Sequence, residues 1–483
     1  MLFNSLEYLI FLPVVFCLYW FVIQKNLRFQ NSLLLISSYV FYGWWDWRFL
    51  SLIFLSTFVD YFVGQKIYEK KDKNSKLLFL WTSILFNLSL LGFFKYFNFF
   101  IDSWIDLLGA FGYKSTNTWT LNIILPIGIS FYTFQTMSYS LDIYYKKLKP
   151  TKDFISFAAF VSFFPQLVAG PIERASNLLP QILNKRVFKY EQAVLGLRLI
   201  LWGMFKKVVV ADSLGVSVDN IFLNYTIYNG GVLLLGLVYF SFQIYCDFSG
   251  YSDIAIGTAR LFGFELMSNF KYPFFSRDIR EFWQKFHISM SSWFRDYLYM
   301  NILLRLRHYG IFGLIVSTFF TYGIIGLWHG ANYTFLVYGL INALYFLPLI
   351  IQKKKPYKTK IFSSNNILTS MKEIFLSLKT FLYFSISLCF FRSQTLGDAF
   401  DYLIKMVTTF NIPEYFRKDI ILLIILLIIE HIFSKNERNP IAFNYFDDKK
   451  YNKVINYLVY YVLFVAVVSS FNINKTEFIY FQF

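Results

Sequence analysis

The chain contains four histidines, and two of them follow tryptophans in strings rich in aromatic residues. His287 lies four residues after Trp283, and His329 directly follows Trp328. Imidazole is the side chain best matched to proton transfer near neutral pH, so both strings are candidates for general acid–base chemistry. The alternative is that each histidine is a hydrogen-bonded core residue with no chemical role.

Helical periodicity predicts how these imidazoles are positioned. Four residues of the first string recur at the spacing of one helix face: Trp283, His287, Met290 and Phe294. A helix is therefore predicted through this string, with Arg295 on another face near the helix end. The second string follows the apolar run 311–325, and Gly330 would let another group approach the backbone beside the His329 imidazole.

Apolar composition sets the class of protein in which this chemistry would take place. Of the 483 residues, 57% are hydrophobic and 16% are charged, whereas a soluble domain is about a quarter charged. Several apolar runs have about the length that crosses a hydrocarbon layer of ~30 Å: 8–23, 77–94, 335–351, 374–391 and 454–471. The sequence predicts an all-α, polytopic transmembrane protein with about ten to thirteen membrane segments. Residues 6–23 are predicted to be an uncleaved first transmembrane helix, and some short segments to be re-entrant.

The formal charge of +17 is concentrated in short stretches between apolar runs, at 66–76, 146–152 and 353–360. Lys and Arg are enriched in loops on the cytoplasmic side of membranes, where they also meet anionic lipid headgroups. The charge therefore indicates membrane lipid as a partner. No motif supports a nucleic-acid partner.

Polar residues interrupt the apolar stretches mainly in the middle of the chain. Ionisable groups at membrane depth cost several kcal/mol unless they are paired or hydrated, so a region that keeps them is expected to use them. We predict one integral membrane domain, 1–483. Within it, 1–120 are scaffold helices, 121–345 form the motif-bearing core, and 346–483 form C-terminal helices with a tyrosine-bearing tail.

Ordered strings along most of the chain carry a family resemblance. Residues 282–299 read FWQKFHISMSSWFRDYLY, and residues 326–335 read GLWHGANYTF. Further strings are YGWWD at 42–46, LPIGISFYTF at 125–134, FFPQLVAGP at 163–171, GMFKKVVVAD at 203–212, FQIYCDFSGYSD at 242–253 and FFR at 390–392. Together they resemble the bacterial alginate-type branch of the membrane-bound O-acyltransferase (MBOAT) family. Ordered strings are far more specific than one short motif.

The resemblance implies the MBOAT fold, with a central tunnel in which an acyl group is transferred. In this family the histidine of the WHG string is catalytic, here His329, and the second motif histidine, here His287, lies near the same site. His329 would be the general base that takes the proton of a hydroxyl, while His287 would share in catalysis or orient substrate or helices. The candidates for lining the tunnel are Trp328, Asn332, Trp283, Asp253 and Arg295, with no metal site. For Asp253, as for Asp247, Arg280 and Glu281, a structural ion pair is an equal alternative.

The resemblance also implies the substrates, the partners and the location. The donor would be a cytoplasmic thioester, acetyl-CoA or another acyl thioester, with no bound cofactor. The acceptor would be an extracytoplasmic polysaccharide, either alginate-like or another cell-envelope glycan. A periplasmic or extracytoplasmic SGNH-type acetyltransferase would be the protein partner, and the bacterial cytoplasmic (inner) membrane the location of this multi-pass chain.

Two features leave the acceptor open. Residues 300–310 lack the usual Pro-Leu-Gly-Gly turn and are more similar to the teichoic-acid D-alanylation members of the family. Tyr480 resembles the C-terminal tyrosine motif of the small membrane protein that accompanies those members. That likeness implies that Tyr480 receives the acyl group as a phenolic ester and passes it to an extracytoplasmic partner. The alternative is an aromatic anchor at the membrane interface.

Two other classes of protein fit parts of the pattern. Interrupted helices and polar groups at membrane depth also suit a solute transporter, although no internal repeat is visible. A scaffold for an envelope biosynthetic complex is the third reading, and it would tolerate the loss of His329.

Overall fold

The fold is entirely helical in the part of the chain that the structure describes. The structure is a computed structural model, and it describes residues 1–112, 120–121, 123–357, 367–434, 449–471 and 478–479. No strand occurs among these residues, which confirms the all-α prediction. The chain divides into two compact units, Met1–Gly196 with Ala255–Met267 and Leu197–Ile254 with Ser268–Phe483. The prediction of a single domain with three sections stays a prediction.

The first unit carries most of the N-terminal helices. These are α1 (Leu6–Cys17), α2 (Leu27–Asp46), α3 (Leu50–Glu69), α4 (Lys73–Leu91), α5 (Phe97–Ala110), α6 (Ile129–Tyr144), α7 (Phe154–Val161), α8 (Phe164–Leu167), α9 (Ala175–Leu183) and the start of α10 (Tyr190–Met204). Two π-helical segments, Leu18–Val22 and Gly92–Tyr96, continue α1 and α4, and the 3₁₀ turn Trp47–Phe49 joins α2 to α3.

The second unit carries both histidine strings. Its helices are the end of α10, α11 (Asp212–Leu223), α12 (Gly230–Leu261, to residue 254), α13 (Ile279–Trp283), α14 (Ile288–Phe294), α15 (Met300–Leu306), α16 (Gly310–His329), α17 (Tyr333–Ile351), α18 (Ile367–Arg392), α19 (Leu396–Thr408), α20 (Asp419–Ser434) and α21 (Lys449–Ser470). Phe205–Ala211 and Arg295–Tyr299 are π-helical, and Pro273–Phe275 and Arg307–Tyr309 are 3₁₀ turns.

Several helices begin at a side chain that caps their free N–H groups. Asn26, Asp72, Asp153 and Asn332 each accept hydrogen bonds from backbone N–H groups in the first turn of α2, α4, α7 and α17. Thr395 and Asp398 form a reciprocal capping box at the start of α19. Such caps satisfy donors that have no partner within the helix, so polar residues between the apolar runs set where these helices start.

The apolar helices make the chain a multi-pass membrane protein. Seven helical runs in the described residues are long and apolar enough to cross a membrane: Leu27–Glu69, Lys73–Ala110, Gly230–Leu261, Ile288–His329, Tyr333–Ile351, Leu368–Arg392 and Tyr451–Ser470. Leu6–Val22, the predicted first transmembrane helix, is a shorter apolar helix. Large apolar side chains are exposed along these helices, as on a surface that lipid covers. The re-entrant segments and the central tunnel stay predictions.

A polar cluster lies inside the first unit. Asp60 in α3 is fully buried and accepts hydrogen bonds from Ser83, from Ser140 at 3.2 Å and from the Asn87 amide at 2.8 Å. Ser83 and Asn87 belong to α4, and Ser140 to α6. A buried carboxylate needs such donors, so these hydrogen bonds join α3, α4 and α6.

The helix through His287 is broken, contrary to the prediction of one helical face through the first string. His287 has φ +48°, in the left-handed region, and separates α13 from α14. The helix end predicted near Arg295 corresponds to the end of α14 at Phe294, although the chain continues through the π-helical segment Arg295–Tyr299 into α15. The break turns the His287 side chain out of the α14 helical register, and periodicity alone gave no sign of it.

Helices α16 and α17 meet at backbone contact. A Cβ on Gly326 would lie 2.3 Å from the Phe335 carbonyl oxygen and 3.1 Å from the Gly339 Cα, and a Cβ on Gly339 would lie 2.2 Å from the Tyr322 carbonyl oxygen. No side chain fits in that space. Glycine at both positions therefore holds α17 against the last turn of α16, which carries Trp328 and His329.

Candidate active site

His329 is the last residue of α16 and is buried in an aromatic setting. Its ring centroid lies 5.3 Å from that of Phe391 and 5.8 Å from that of Tyr338, both edge-on. The prediction for Gly330 is confirmed, because a Cβ there would lie 2.1 Å from the Phe335 ring. The group that approaches the backbone beside the imidazole is thus an aromatic ring, which also packs on Phe391 at 5.0 Å.

His287 is held by a hydrogen bond from its own ring. Its Nδ1 lies 3.2 Å from Oδ1 of Asn269, and the same oxygen accepts hydrogen bonds from Ser289 N at 3.2 Å and Ser289 Oγ at 2.9 Å. The Asn269 amide nitrogen donates to Ser252 Oγ at 3.0 Å. An amide oxygen can only accept, so the proton of a neutral His287 ring sits on Nδ1, and Nε2 carries the lone pair.

Trp328 brings the two histidine strings together. Its indole lies 5.9 Å from the His287 ring and 4.9 Å from the His329 ring, centroid to centroid. Phe294, from the end of α14, packs edge-on against the same indole at 6.2 Å. Two buried imidazoles, 42 positions apart in the sequence, therefore contact one tryptophan within one compact unit.

Two other predicted lining residues lie near this group but have evident structural roles. Trp283, at the end of α13, is buried and packs edge-on against Tyr322 at 5.8 Å. Asn332 is half-buried, and its side-chain oxygen accepts a hydrogen bond from Thr334 N at 3.0 Å, while its amide donates to the Gln394 carbonyl at 3.1 Å. Asn332 thus caps α17 three residues after His329.

The remaining predicted residues lie outside the histidine group. Arg295 is exposed and pairs with its neighbour Asp296 at 2.7 Å. Asp253 pairs with Lys206 at 2.7 Å, so it has the ion-pair role that was its alternative. Tyr480 lies outside the described residues. Among the residues that are described, no group of three His, Cys, Asp or Glu side chains has the arrangement of a metal site.

An ion-pair network stabilises the segment that leads to His287. The Glu281 carboxylate accepts from Arg277 Nε at 3.1 Å and from Lys285 Nζ at 2.9 Å. Burial alone would raise the pKa of Glu281, but the hydrogen bonds from Arg277 and the charge of Lys285 hold that pKa below its usual value. Arg277 also pairs with Glu373 of α18 at 3.0 Å. Glu281 therefore has the structural ion-pair role that was its alternative to tuning the site.

Sequence reasoning missed two polar residues of this unit, Asn269 and Lys207. Asn269 is one, because a lone asparagine 18 residues before His287 carries no pattern that links it to an imidazole. Lys207 is the other, and it lies 2.7 Å from Asp212 and 2.8 Å from Asp247, so Asp247 has the ion-pair role that was its alternative. Lys207 and Asp212 lie in the string at 203–212, and Asp247 lies in the string at 242–253. A lysine and two carboxylates in otherwise apolar strings are the sequence signal that could have predicted this ion-pair group.

Lys207 reaches Asp247 because two helices approach closely at glycines. A Cβ on Gly203 would lie 2.5 Å from the Gly250 carbonyl oxygen, and a Cβ on Gly250 would lie 2.8 Å from the Gly203 carbonyl oxygen. Lys207 follows in the π-helical segment Phe205–Ala211 and is fully buried. Its charge is therefore offset inside the protein rather than by water.

Comparison with known proteins defines the class. The model of MBOAT, the membrane-bound O-acyltransferase family, matches residues 144–391, a range that includes His287 and His329. The chain therefore belongs to this family and is an O-acyltransferase, which decides against a solute transporter and against a scaffold without activity.

Named relatives refine the resemblance. The probable alginate O-acetylase of Pseudomonas syringae pv. tomato is 38% identical, over 83% of this chain and 74% of the relative. The peptidoglycan O-acetyltransferase of Helicobacter pylori is 33% identical, over 84% and 80%. The teichoic acid D-alanyltransferase of Bacillus subtilis is 29% identical, over 46% and 58%. The resemblance to the alginate-type branch is thus confirmed.

Proposed function

We propose that this O-acyltransferase moves an acetyl group from acetyl-CoA on the cytoplasmic side toward the hydroxyl groups of an extracytoplasmic polysaccharide. The observation that carries the proposal is the placement of two buried imidazoles on one indole, since a proton-accepting group sheltered from water is what acyl transfer to a hydroxyl requires. The names of two relatives that cover more than four fifths of this chain, a probable alginate O-acetylase and a peptidoglycan O-acetyltransferase, support acetyl as the acyl group.

In the proposed reaction, His329 takes the proton of the attacking hydroxyl. The hydroxyl oxygen forms a bond to the thioester carbonyl carbon, and the carbon–sulfur bond breaks. The thiolate leaves and receives the proton from the His329 imidazolium, so the products are an ester and a free thiol. His287, whose ring is oriented by Asn269, presents the lone pair of Nε2 near the same indole and orients the hydroxyl by accepting its hydrogen bond.

The first acceptor in this proposal is the phenol of Tyr480. A phenolate is a better leaving group than an alkoxide, so a tyrosyl ester stays reactive until a second transfer. An SGNH-type acetyltransferase outside the membrane would take the acetyl group from Tyr480 and deliver it to the polysaccharide. This route places the chain in the bacterial cytoplasmic membrane, because donor and final acceptor lie on opposite sides.

The test is the release of free thiol and the transfer of labelled acetyl from acetyl-CoA by the purified protein in lipid nanodiscs. His329→Ala should lower transfer by ~10²–10⁴-fold, the usual contribution of a general base. His308→Ala is the matched control, since His308 is exposed in the turn Arg307–Tyr309. Tyr480→Phe should abolish transfer to the partner but leave slow thioester hydrolysis.

Two results would contradict the proposal. Equal activity of His329→Ala and His308→Ala would exclude His329 as the general base. Transfer of a D-alanyl group in place of acetyl would favour the second candidate, teichoic-acid D-alanylation-type acyl transfer, which the similarity to the Bacillus subtilis D-alanyltransferase supports.

A further inference from the structure

A short segment near the last residues of the chain is buried in the second unit. This segment, Phe478–Ile479, has exposed fractions of 0% and 3%, which separates it from a solvated tail. The Phe478 ring packs on Tyr251 at 4.4 Å and edge-on against Phe248 at 5.9 Å, both on α12. These are contacts of a core residue.

One backbone hydrogen bond fixes the register of the segment. The N–H of Ile479 donates to Oδ2 of Asp247 at 2.7 Å. The other carboxylate oxygen, Oδ1, lies 2.8 Å from Nζ of Lys207. Asp247 is thus held on one side by a buried lysine and presents its second oxygen to a main-chain donor. Hydrogen bonds to an ionised acceptor are about twice as strong as neutral ones.

The segment is also close to the histidine group. Phe248 packs edge-on against the His287 ring at 4.5 Å, so it lies between His287 and Phe478. Asp247 and Phe248 are consecutive residues of α12, and one binds the backbone of the segment while the other binds its aromatic side chain. The residue after Ile479 is Tyr480.

We infer that Asp247, paired with Lys207, is the docking group that holds the Phe478–Ile479 segment beside the histidine group. Asp247 acts through the backbone of the segment, so it is a positioning residue. The consequence for acyl transfer rests on the proposed role of Tyr480, whereas the docking itself does not. The two are therefore measured separately.

Docking is tested by removing the backbone donor of the hydrogen bond to Asp247. Proline has no backbone N–H, so Ile479→Pro removes the donor to Asp247 and leaves the ion pair of Asp247 with Lys207 in place. Ile479→Val keeps the donor and is the matched control. A photoreactive benzoyl-phenylalanine at position 478 reports docking through its cross-link to the α12 peptide, quantified by mass spectrometry in the full-length protein in nanodiscs.

The expected result is a fall of about tenfold or more in cross-linking with Ile479→Pro and an unchanged yield with Ile479→Val, as the loss of a charge-assisted hydrogen bond implies. Asp247→Ala should give the same fall. An unchanged yield in Ile479→Pro would overturn the proposal. If Asp247→Ala fails to fold, Ile479→Pro still decides, because it leaves the buried ion pair of Asp247 with Lys207 unchanged.

Activity measurements separate docking from the proposed chemistry. With docking lost, kcat for acetyl transfer should fall by about tenfold or more while the KM for acetyl-CoA stays the same, since the donor does not bind through this hydrogen bond. A fall in cross-linking with unchanged transfer would overturn the positioning role. A wild-type protein that docks the segment but transfers no acetyl group would instead refute the proposed function and leave docking intact.

Discussion

The backbone contact between α16 and α17 gives a quantitative prediction for Gly326→Ala. The new Cβ would lie 2.3 Å from the Phe335 carbonyl oxygen, whereas ordinary contact begins at 3.4 Å, so α17 must move by about 1 Å. Overpacking of this kind costs ~1–3 kcal/mol. The matched control is Gly323→Ala on the same helix, where the Cβ would meet Leu336 and Leu340 at 3.7 Å.

The two variants should differ in stability and in activity. Alanine is favoured over glycine within a helix by ~1 kcal/mol, so Gly323→Ala should match or exceed the stability of the wild type. Gly326→Ala should lower the apparent melting temperature measured by fluorescence-detected size exclusion. Because His329 follows three residues later, a displacement of about 1 Å should lower acyl transfer by up to ~10²-fold. Equal melting temperature and activity in the two variants would refute the argument that backbone contact positions the imidazole.

Two further predictions concern polar groups. Asn269→Ala should lower kcat by ~10–100-fold with little change in donor KM, because His287 loses the acceptor that orients its ring. The control is Asn224→Ala, since Asn224 is exposed. Equal kcat values in the two variants would show that the hydrogen bond from His287 to Asn269 does not affect catalysis. Burial raises the pKa of Glu173 in the folded protein to about 7, against 4.5 for a free glutamate. The folded state then keeps a proton that the unfolded chain loses, so this carboxyl makes stability fall as pH rises from about 4.5 to about 7. Glu173→Gln should remove that fall from melting curves recorded between pH 5 and pH 8, and parallel curves for the two proteins would contradict the assignment.

The sequence predicted the features that depend on neighbouring residues, and it missed those that depend on contacts between residues far apart in the chain. The helical class and the role of Gly330 rest on local features, namely apolar runs and a glycine beside a bulky neighbour, and both are confirmed. The break at His287 was missed because apolar spacing continues through it, and a left-handed residue between two helices leaves no periodic mark. Asn269 was missed because its partner is 18 residues away and nothing local requires it.

The ion-pair group shows the same limit on a longer scale. Lys207 and Asp247 were visible as charged residues in apolar strings, and pairing was one of the roles expected for Asp247. Their partnership depends on the close approach at Gly203 and Gly250, which only the packing of α10 on α12 decides. The hydrogen bond from Ile479 to Asp247 spans 232 residues, beyond any pattern in a single sequence.

The glycine seam between α16 and α17 also bears on how a substrate gains entry. Hydrocarbon chains are about as wide as a methylene group, and the seam excludes even one Cβ at Gly326 and Gly339, so it leaves no lateral opening at the level of these two residues. A lipid tail diffusing in the bilayer plane therefore cannot enter between these two helices at this level. On this flank, the thioester donor proposed above would reach His329 along the helix axes rather than from the side.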